Sequence, residues 1–218
     1  MKLQYCRSNH NAPNMLYYAC VLLFVCVPLR EGFLVDTLIP SLFGSPPNTV
    51  KSLDLDKYLG RWYQMYASQS VVTLWESGAY CITADYGLNG PGNVSVLNSE
   101  RLHSASGQAK DIHGYATPTN ETGKFVVHLE TVPIGAPYWV ISLGPATYGS
   151  DGLYQYSVVS DSIRSTLFVL ARDAQVFRDI YQGTVETFLQ KAGFTSFYNK
   201  YIPTYHGDDC TYNNNTHH

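Results

Sequence analysis

Asp56-Lys57-Tyr58-Leu59-Gly60-Arg61-Trp62-Tyr63 is the stretch of sequence on which the fold assignment depends. Either Asp54 or Asp56 can cap a short helical turn, and Gly60 is suited to end it. The residues that follow, 61–68, are rich in aromatic and apolar side chains, which is typical of a strand. The stretch therefore predicts a helical turn that leads directly into a β-strand.

Seven further strands follow the first one, separated by turn signals. Each is short and rich in Val, Ile, Tyr, Phe and Thr, the residues that favour strands. The turns include Asn89-Gly90-Pro91-Gly92 and Thr119-Asn120-Glu121-Thr122-Gly123. The eight predicted strands are 61–68, 80–86, 94–100, 108–115, 124–129, 138–143, 154–159 and 166–171.

One helix is predicted after the last strand, over residues 174–192. Its apolar residues recur at helical spacing, with Asp173 as N-cap and Gly193 as the C-terminal stop. The apolar face consists of Val176, Phe177, Ile180, Tyr181, Val185, Phe188, Leu189 and Ala192. The pattern predicts an all-β fold, an eight-stranded up-and-down antiparallel barrel with one C-terminal α-helix packed outside. A barrel of this size has room for one small ligand.

The N-terminal segment 1–32 is predicted to be a signal peptide, which indicates a secreted, extracellular protein. Lys2 and Arg7 precede an apolar run, 15–29, that is shorter than the ~20 residues of a membrane span. The alternatives are a buried core helix or a signal anchor, and no sharp cleavage site follows the run. The expected organisation is then a connector over 33–52, the barrel with its helix and tail over 53–210, and a mobile tail over 211–218.

Cysteine usage agrees with export. Of the five cysteines, those outside the predicted signal peptide are Cys81 and Cys210, an even pair of the kind found in oxidising compartments. Sequons for N-glycosylation begin at Asn93, Asn120 and Asn214 and point the same way. These features predict a glycoprotein of the secretory route.

Composition and motifs exclude several classes of function. The net charge is −3 and becomes more negative without residues 1–32, and Lys and Arg are not clustered, so nucleic acid is not an expected partner. The sequence has no Gly-x-Ser-x-Gly, no phosphate-binding loop and no His-Glu-x-x-His, and its seven histidines are scattered. We therefore expect no enzymatic activity, no metal site and no cofactor, and the oligomeric state stays open.

The stretch 56–63 contains Gly-x-Trp and resembles the signature of the lipocalins, most closely in their apolipoprotein D and bacterial lipocalin branch. Later segments resemble strands of that branch in the same order, and the tail 193–210 is similar as well. These segments are 81–86, 96–100, 136–141, 156–161 and 167–172. One departure follows the sixth strand, where Gly144-Pro145-Ala146-Thr147-Tyr148 replaces the Thr-Asp-Tyr of the family and begins a longer loop.

The resemblance implies two structural pairs. Arg172, at the end of the last strand, is expected to lie over Trp62, which plugs one end of the barrel, in a cation–π contact. Cys81 is expected to form a disulfide with Cys210 and to pin the C-terminal tail across the outside of the barrel. One enzymatic branch of the family uses a cysteine inside the barrel as its nucleophile. Here both cysteines outside the predicted signal peptide, Cys81 and Cys210, are expected to be in the disulfide, so neither is available for that reaction.

Strand alternation assigns side chains to the barrel interior. Gln64 and Tyr66 share the face of Trp62, and if Cys81 faces outward, then Tyr80 and its alternate neighbours face inward. The resemblance places two residues of the third strand in the same cavity. The predicted ligand pocket is lined by Gln64, Tyr66, Ile82, Ala84, Tyr86, Val96 and Asn98. The alternative is a filled core.

The expected function is that of an extracellular carrier of a small hydrophobic ligand, of the fatty acid, sterol, retinoid or tetrapyrrole class. The alternatives are a protein- or matrix-interaction lipocalin and a membrane-associated lipid-transfer protein. Residues 70–76 are predicted to form a loop at the mouth of the barrel, with apolar Val71, Val72, Leu74 and Trp75. Such a loop is either a lid over the pocket or a site of transient contact with membranes or lipoprotein particles.

Overall fold

The computed structural model describes residues 45–90 and 92–213. The predicted signal peptide, residues 33–44 of the predicted connector and the sequon at Asn214 lie outside the described residues. The described end of the connector contacts the barrel. The backbone N–H of Val50 donates to the carbonyl oxygen of Val140 at 2.9 Å, and the hydroxyl of Thr49 donates to the backbone carbonyl oxygen of Thr122 at 2.8 Å.

Antiparallel strands form a closed barrel. The barrel strands are β1 (Gly60–Ser68), β2 (Ala79–Leu88), β3 (Val94–Leu102), β4 (Ala109–Pro118), β5 (Lys124–Leu129) and β6 (Ala136–Leu143); after a hairpin of β7 (Ala146–Tyr148) and β8 (Leu153–Tyr154) come β9 (Tyr156–Ser160) and β10 (Leu167–Ala171). Each barrel strand pairs with the next, and β10 also pairs with β1, which closes the sheet. The predicted eight-stranded up-and-down barrel is confirmed.

Short elements are added to the connections between the barrel strands. The β7–β8 hairpin lies between β6 and β9, where the sequence departs from the family pattern. A helix of six residues, α1 (Gln69–Leu74), follows β1, and the Ser68 side chain caps it by accepting a hydrogen bond from the backbone N–H of Val71. Near the C-terminus, β11 (Tyr201–Pro203) pairs with the last three residues of β1 as a ninth strand.

The C-terminal helix is continuous but changes its pitch. It begins with α2 (Ala174–Val176), continues through a π-helical turn (Phe177–Tyr181) and ends with α3 (Gln182–Lys191). The Asp173 side chain caps it as predicted, by accepting hydrogen bonds from the first free backbone N–H groups. Its buried side chains pack against the exterior of β1 and β10, so the predicted helix outside the barrel is confirmed.

The π-helical turn corrects the predicted apolar face of this helix. The N–H of Gln182 donates to the carbonyl of Phe177, five residues earlier, so the turn is wider than in an α-helix. The buried residues of the helix are then Phe177, Val185 and Leu189, eight and four positions apart, whereas Ile180 is 64% exposed. The assignment of Ile180 to the buried face is therefore wrong.

A disulfide between Cys81 and Cys210 is present, with Cα atoms 5.7 Å apart. It links β2 to a segment 129 residues later in the chain. The backbone N–H of Cys81 also donates to the carbonyl oxygen of Tyr205 at 3.0 Å, so this segment is held to β2 by backbone contacts as well. The predicted pairing is confirmed.

The described part of the predicted mobile tail, residues 211–213, is bound to the barrel. Arg101 on β3 donates to the carbonyl oxygen of Thr211 at 2.6 Å and to the side chain of Asn213 at 3.0 Å. Asn213 in turn donates to the carboxylate of Asp111 on β4 at 2.9 Å. These hydrogen bonds hold the three residues against β3 and β4.

Candidate ligand-binding cavity

A cavity of about 300 Å³ occupies the interior of the barrel. Sites that hold one small organic molecule begin at about this volume. Six of the seven predicted pocket residues line it: Gln64, Ile82, Ala84, Tyr86, Val96 and Asn98. Apolar side chains from four other strands and from β3 complete much of the wall, among them Val94, Ala116, Val127, Phe125, Phe168 and Leu170.

Tyr66, the seventh predicted pocket residue, does not line the cavity. The pairing of β1 with β10 shifts register between Gln64 and Tyr66, which marks a β-bulge. The extra residue inverts the inside–outside alternation, so the Tyr66 ring faces the exterior helix. There it packs against Phe177 with ring centroids 5.9 Å apart, and its hydroxyl donates to Glu186 at 2.6 Å. Alternation counted from Trp62 is therefore valid only as far as the bulge.

A second bulge corrects the placement of Tyr80. The pairing of β2 with β3 shifts register between Tyr80 and Thr83, and Cys81 adopts a left-handed φ of 54°. The Tyr80 ring packs against that of Tyr205, with centroids 5.6 Å apart, instead of facing the cavity. The predicted alternation of β2 holds from Ile82 onward.

Trp62 closes the end of the barrel at which β1 begins. Its side chain is fully buried, and its indole N–H donates to the carbonyl oxygen of Tyr58 at 2.8 Å. The Cζ atom of Arg172 lies 3.7 Å from the centroid of the Trp62 ring, so the expected contact is present. Burial lowers the pKa of Arg172 to about 10, which leaves it charged at neutral pH. The guanidinium donates to the backbone carbonyl oxygens of Lys57, Leu59 and Arg61.

Three tyrosines, Tyr58, Tyr86 and Tyr138, form the floor of the cavity at this end. The hydroxyl of Tyr138 lies 2.7 Å from that of Tyr58 and 3.1 Å from that of Tyr86. Tyr58 also forms a hydrogen bond of 2.8 Å with the hydroxyl of Ser157. Burial raises the pKa of Tyr58 to about 12 and raises the pKa values of Tyr86 and Tyr138 as well. The phenols are therefore neutral and serve as hydrogen-bond donors and acceptors.

The opposite end of the cavity has an exposed rim. The predicted mouth loop 70–76 lies here, but its first part belongs to α1, because Ser68 caps a helix at this position. Val71 is buried and lines the cavity, and Val72 is partly buried. Leu74 and Trp75 are exposed, and Trp75 also contributes to the cavity wall. The segment thus has one side in the cavity and one in solvent.

Polar side chains near the rim are paired with one another. Gln64 donates to a carboxylate oxygen of Glu76 at 2.7 Å, and Lys110 donates to Glu100 at 2.6 Å. Burial raises the pKa of Glu76 to about 7, so this carboxyl group is partly protonated at neutral pH. All four residues line the cavity.

Sequence reasoning missed several lining residues for identifiable reasons. Glu100 shares the parity of Val96 and Asn98 on β3, so the alternation signal that found those two residues could have found it. Tyr58 lies in the turn before β1, where strand alternation makes no assignment. Tyr138 lies on a predicted strand that had no anchor residue to fix which parity faces inward.

No helix in residues 45–90 and 92–213 has the length and apolar character needed to span a membrane.

Comparisons with known proteins agree with this geometry. A family model described as a lipocalin-like domain matches residues 53–200. Apolipoprotein D of Bos taurus is 36% identical over 104 residues, which cover 47% of this chain and 52% of that protein, about half its length. The outer membrane lipoprotein Blc of Vibrio cholerae is 27% identical over 163 residues, or 72% of this chain and 90% of that protein.

Solved structures show the same fold. Lobster apocrustacyanin A1 superimposes with a TM-score of 0.53 at 15% identity, over 76% of this chain and 92% of that one. The family model covers more than half of the chain, and the closed barrel, the disulfide and the Trp62–Arg172 contact are all present. The protein therefore belongs to the lipocalin family.

Proposed function

We propose that this lipocalin is an extracellular carrier that binds a small hydrophobic molecule inside its barrel. The observation that carries the proposal is the cavity of about 300 Å³ with largely apolar walls and an exposed rim at one end. Burial of apolar ligand surface contributes about 25 cal/mol per Å², regardless of the detailed shape of the molecule. Fatty acids, sterols, retinoids and tetrapyrroles are all candidates on this ground.

The disulfide between Cys81 and Cys210 supports the extracellular setting, because disulfides persist in oxidising compartments. The positions of two sequons are compatible with a glycoprotein carrier. Asn120 is exposed and Asn93 is partly buried, and they lie in the β4–β5 and β2–β3 connections. Both connections are at the end of the barrel that Trp62 closes, so glycans there would leave the rim free.

Membership of the lipocalin family supports binding rather than catalysis, and so do the contacts of Cys81 and Arg172. Cys81 is oxidised in the disulfide and is therefore not available as a nucleophile. Arg172 is engaged with Trp62 and with three backbone carbonyl oxygens, which assigns its charge to the closed end of the barrel.

Displacement of a fluorescent apolar probe tests the carrier function. We expect N-phenyl-1-naphthylamine to gain fluorescence with the purified protein, and fatty acids or sterols to displace it. Ala84→Trp and Val96→Trp should each abolish the gain, because both positions line the cavity and an indole would fill it. Undiminished probe binding by correctly folded forms of both variants would show that the ligand binds elsewhere.

A matched control separates cavity filling from the addition of an indole to the sheet. Tyr115 is exposed on β4, so Tyr115→Trp adds an indole outside the barrel and should leave probe binding unchanged. Native mass spectrometry of protein recovered from the secretory route would then identify the molecule that occupies the cavity.

A second candidate function, transfer of ligand to and from membranes, is favoured by apolar side chains around the rim. Leu74 and Trp75 are exposed in the β1–β2 connection, and Val132 and Ile134 are exposed in the β5–β6 connection at the same end of the barrel. Grouped exposed apolar residues mark interaction surfaces, and tryptophan favours the membrane interface. Ligand uptake from lipid vesicles is the measurement that tests this function.

A further inference from the structure

Four hydroxyl groups at the floor of the cavity form an unbranched chain of hydrogen bonds. The order is Ser157, Tyr58, Tyr138 and Tyr86, with oxygen–oxygen distances of 2.8, 2.7 and 3.1 Å. Each hydroxyl group has one hydrogen to donate, and three bonds use three of the four hydrogens. One hydrogen of the four therefore has no acceptor within the chain.

The direction of donation in each bond decides which hydroxyl group carries the spare hydrogen. If Ser157 donates to Tyr58 and the direction continues, then Tyr86 keeps a free O–H. In the opposite direction Tyr86 donates to Tyr138, and its oxygen keeps free lone pairs. Tyr86 and Tyr138 line the cavity, whereas none of the described residues of β9, which carries Ser157, does so. The cavity end of the chain can therefore act as a donor or as an acceptor toward a ligand.

The surroundings of Tyr86 offer few partners for its unmet bonding capacity. The Tyr86 side chain is buried, and the wall beside it consists of apolar groups such as Ala84, Val94 and Phe125. Among the described residues, Tyr138 is the one hydrogen-bond partner of the Tyr86 hydroxyl, and a ligand with a matching polar atom would add a second bond in surroundings that offer few polar groups.

The polar groups near the rim differ from those of the floor because they are paired with one another as donor and acceptor. Glu76 is paired with Gln64, and Glu100 is paired with Lys110. The charges of Glu100 and Lys110 are thus matched to each other, and Glu76 already accepts from an amide, so an uncharged ligand oxygen is not needed to balance either group. The hydroxyl chain, in contrast, gains a bond without losing one.

We propose that Tyr86, at the end of this hydroxyl chain, binds the uncharged oxygen of a ketone or alcohol at one end of an otherwise apolar ligand. The apolar body of the ligand then fills the cavity toward the rim. The inference rests on the proposed carrier function and narrows its ligands from hydrophobic molecules in general to those with a terminal oxo or hydroxyl group. It also fixes their orientation, with the oxygen at the floor.

A pair of small probes that differ by one carbonyl group tests this assignment. The 2-acetyl and 2-ethyl derivatives of naphthalene have nearly the same shape, and each can compete with N-phenyl-1-naphthylamine for the cavity. Tyr86→Phe keeps the ring and removes only the terminal hydroxyl group. It should weaken binding of the ketone by about five-fold, the range of one neutral hydrogen bond, and change binding of the hydrocarbon by less than about two-fold.

Asn98→Leu is the matched control, because Asn98 is another polar residue of the cavity wall outside the hydroxyl chain. Asn98→Leu should weaken binding of the two probes by the same factor or leave both affinities unchanged. Loss of ketone binding in Asn98→Leu but not in Tyr86→Phe would place the oxygen at Asn98 and overturn the proposal. Equal weakening of both probes in Tyr86→Phe would overturn it as well, since the hydroxyl would then serve only the shape of the site.

Infrared spectroscopy of the wild-type protein gives a readout that does not depend on a variant. The carbonyl band of ¹³C-labelled acetylnaphthalene should move to lower wavenumber in the complex than in an alkane solvent, because hydrogen bonding weakens the C=O bond. An unshifted band with a bound ketone would overturn the subsite while leaving the carrier function intact. Failure of the wild-type protein to bind either probe would instead overturn the carrier function, and this proposal with it.

Discussion

Arg172 and Trp62 form a buried cation–π pair, in which the guanidinium carbon lies 3.7 Å from the centroid of the fully buried indole. Trp62 lies on β1, and Arg172 directly follows β10, the strand that closes the barrel against β1. The same guanidinium donates to three carbonyl oxygens between residues 57 and 61. The pair thus ties the turn before β1 to both strands of the closure.

Arg172→Ala should lower the free energy of unfolding by about 1–3 kcal/mol, the range for breaking a buried network. The change removes the cation over the indole and leaves the three carbonyl oxygens without their donor. Urea unfolding followed by tryptophan fluorescence measures the loss. A change of less than about 0.5 kcal/mol, the size of an ordinary surface substitution, would contradict a role in barrel closure.

A double-mutant cycle with Trp62→Phe isolates the contact between the two side chains. Residues in direct contact show coupling energies of about 0.5 kcal/mol or more, so strict additivity would show that Arg172 and Trp62 do not stabilise each other. A second cycle, Lys124→Ala with Trp139→Phe, is the matched control, because it separates the cation–π contact from the ion pair of Lys124 with Glu121. Lys124 lies 3.9 Å from the ring centroid of Trp139, but both side chains are partly exposed, so its cation–π contribution should be at the lower end, about 0.5 kcal/mol.

Much of this arrangement could be predicted from the sequence because it depends on the order of the strands. The short apolar strands and their turn residues predict a meander, and closure then brings the ends of the chain's first and last strands together. This topology is sufficient to predict the approximate positions of four residues, without knowledge of individual side-chain contacts: Cys81, Cys210, Trp62 and Arg172. The resemblance to the lipocalins then indicates that Trp62 pairs with Arg172 and Cys81 with Cys210.

The remaining parts of the site depend on features that the sequence pattern does not carry. Tyr66 and Tyr80 are misplaced because a β-bulge inserts one residue, so the side chains before the bulge and those after it do not follow one alternation. Ile180 was misplaced because a single π-helical turn has the same effect on a helix. The hydroxyl chain joins residues up to 99 positions apart, Tyr58 and Ser157, and arises only when the barrel is assembled.

Removal of the disulfide by Cys81→Ala together with Cys210→Ala should lower the free energy of unfolding by up to about 4–5 kcal/mol, because the bridge closes a long loop in the unfolded chain. Urea unfolding under non-reducing conditions measures the loss, and the reduced wild-type protein is its control. Thiol titration of protein that lacks residues 1–32 should find no reactive thiol. Two reactive thiols per chain would contradict the bridge.

His206 should make the protein less stable on acidification. Its Nε2 lies 2.9 Å from the carbonyl oxygen of Gln64, which can only accept, so Nε2 carries the hydrogen and Nδ1 accepts from the hydroxyl of Tyr212 at 2.8 Å. Burial, with a smaller contribution from nearby Arg178, lowers the pKa of His206 to about 4. The unfolded chain then binds a proton below pH ~6.5 that the folded state refuses, so stability falls between pH ~6.5 and ~4, by up to about 3 kcal/mol.

Glu76 should make the protein less stable as the pH rises, which is opposite to the effect of His206 over nearly the same range of pH. Because its pKa is raised from 4.5 to about 7, the folded state binds a proton that the unfolded chain has lost, and stability falls as pH rises between these values. Glu100 adds to this shift and Lys110 opposes it. The pH dependences of stability that His206 and Glu76 cause partly cancel in the wild-type protein. Single variants at the two positions should separate them.

Urea unfolding from pH 4 to pH 8 measures both slopes. Compared with the wild-type protein, Glu76→Gln should gain relative stability as pH rises, because it removes a carboxyl group that is costly to ionise when buried. His206→Gln should instead lose relative stability over the same change, since it removes the group that is costly to protonate. Parallel pH profiles for all three proteins would contradict both assignments.

Leu74 and Trp75 should control how fast ligand is collected from a membrane. Both side chains are exposed, by 56% and 58%, at the rim of the cavity, and Trp75 also lines its wall. Shallow insertion of such residues into the interface would let a hydrophobic ligand pass without crossing water. Leu74→Ser with Trp75→Ser should therefore slow uptake of a fluorescent fatty acid from phospholipid vesicles, and should leave its uptake from detergent dispersion nearly unchanged.

The control for this prediction is an apolar residue at the other end of the barrel. Leu88 is 59% exposed at the end of β2, away from the rim, so Leu88→Ser removes a similar amount of exposed apolar surface without altering the mouth. It should leave both uptake rates unchanged. Equal slowing of both rates by the rim variant would show that Leu74 and Trp75 act only as part of the cavity wall. Because a wall residue contacts the ligand whatever its source, only a selective loss of uptake from vesicles identifies the rim as a membrane contact.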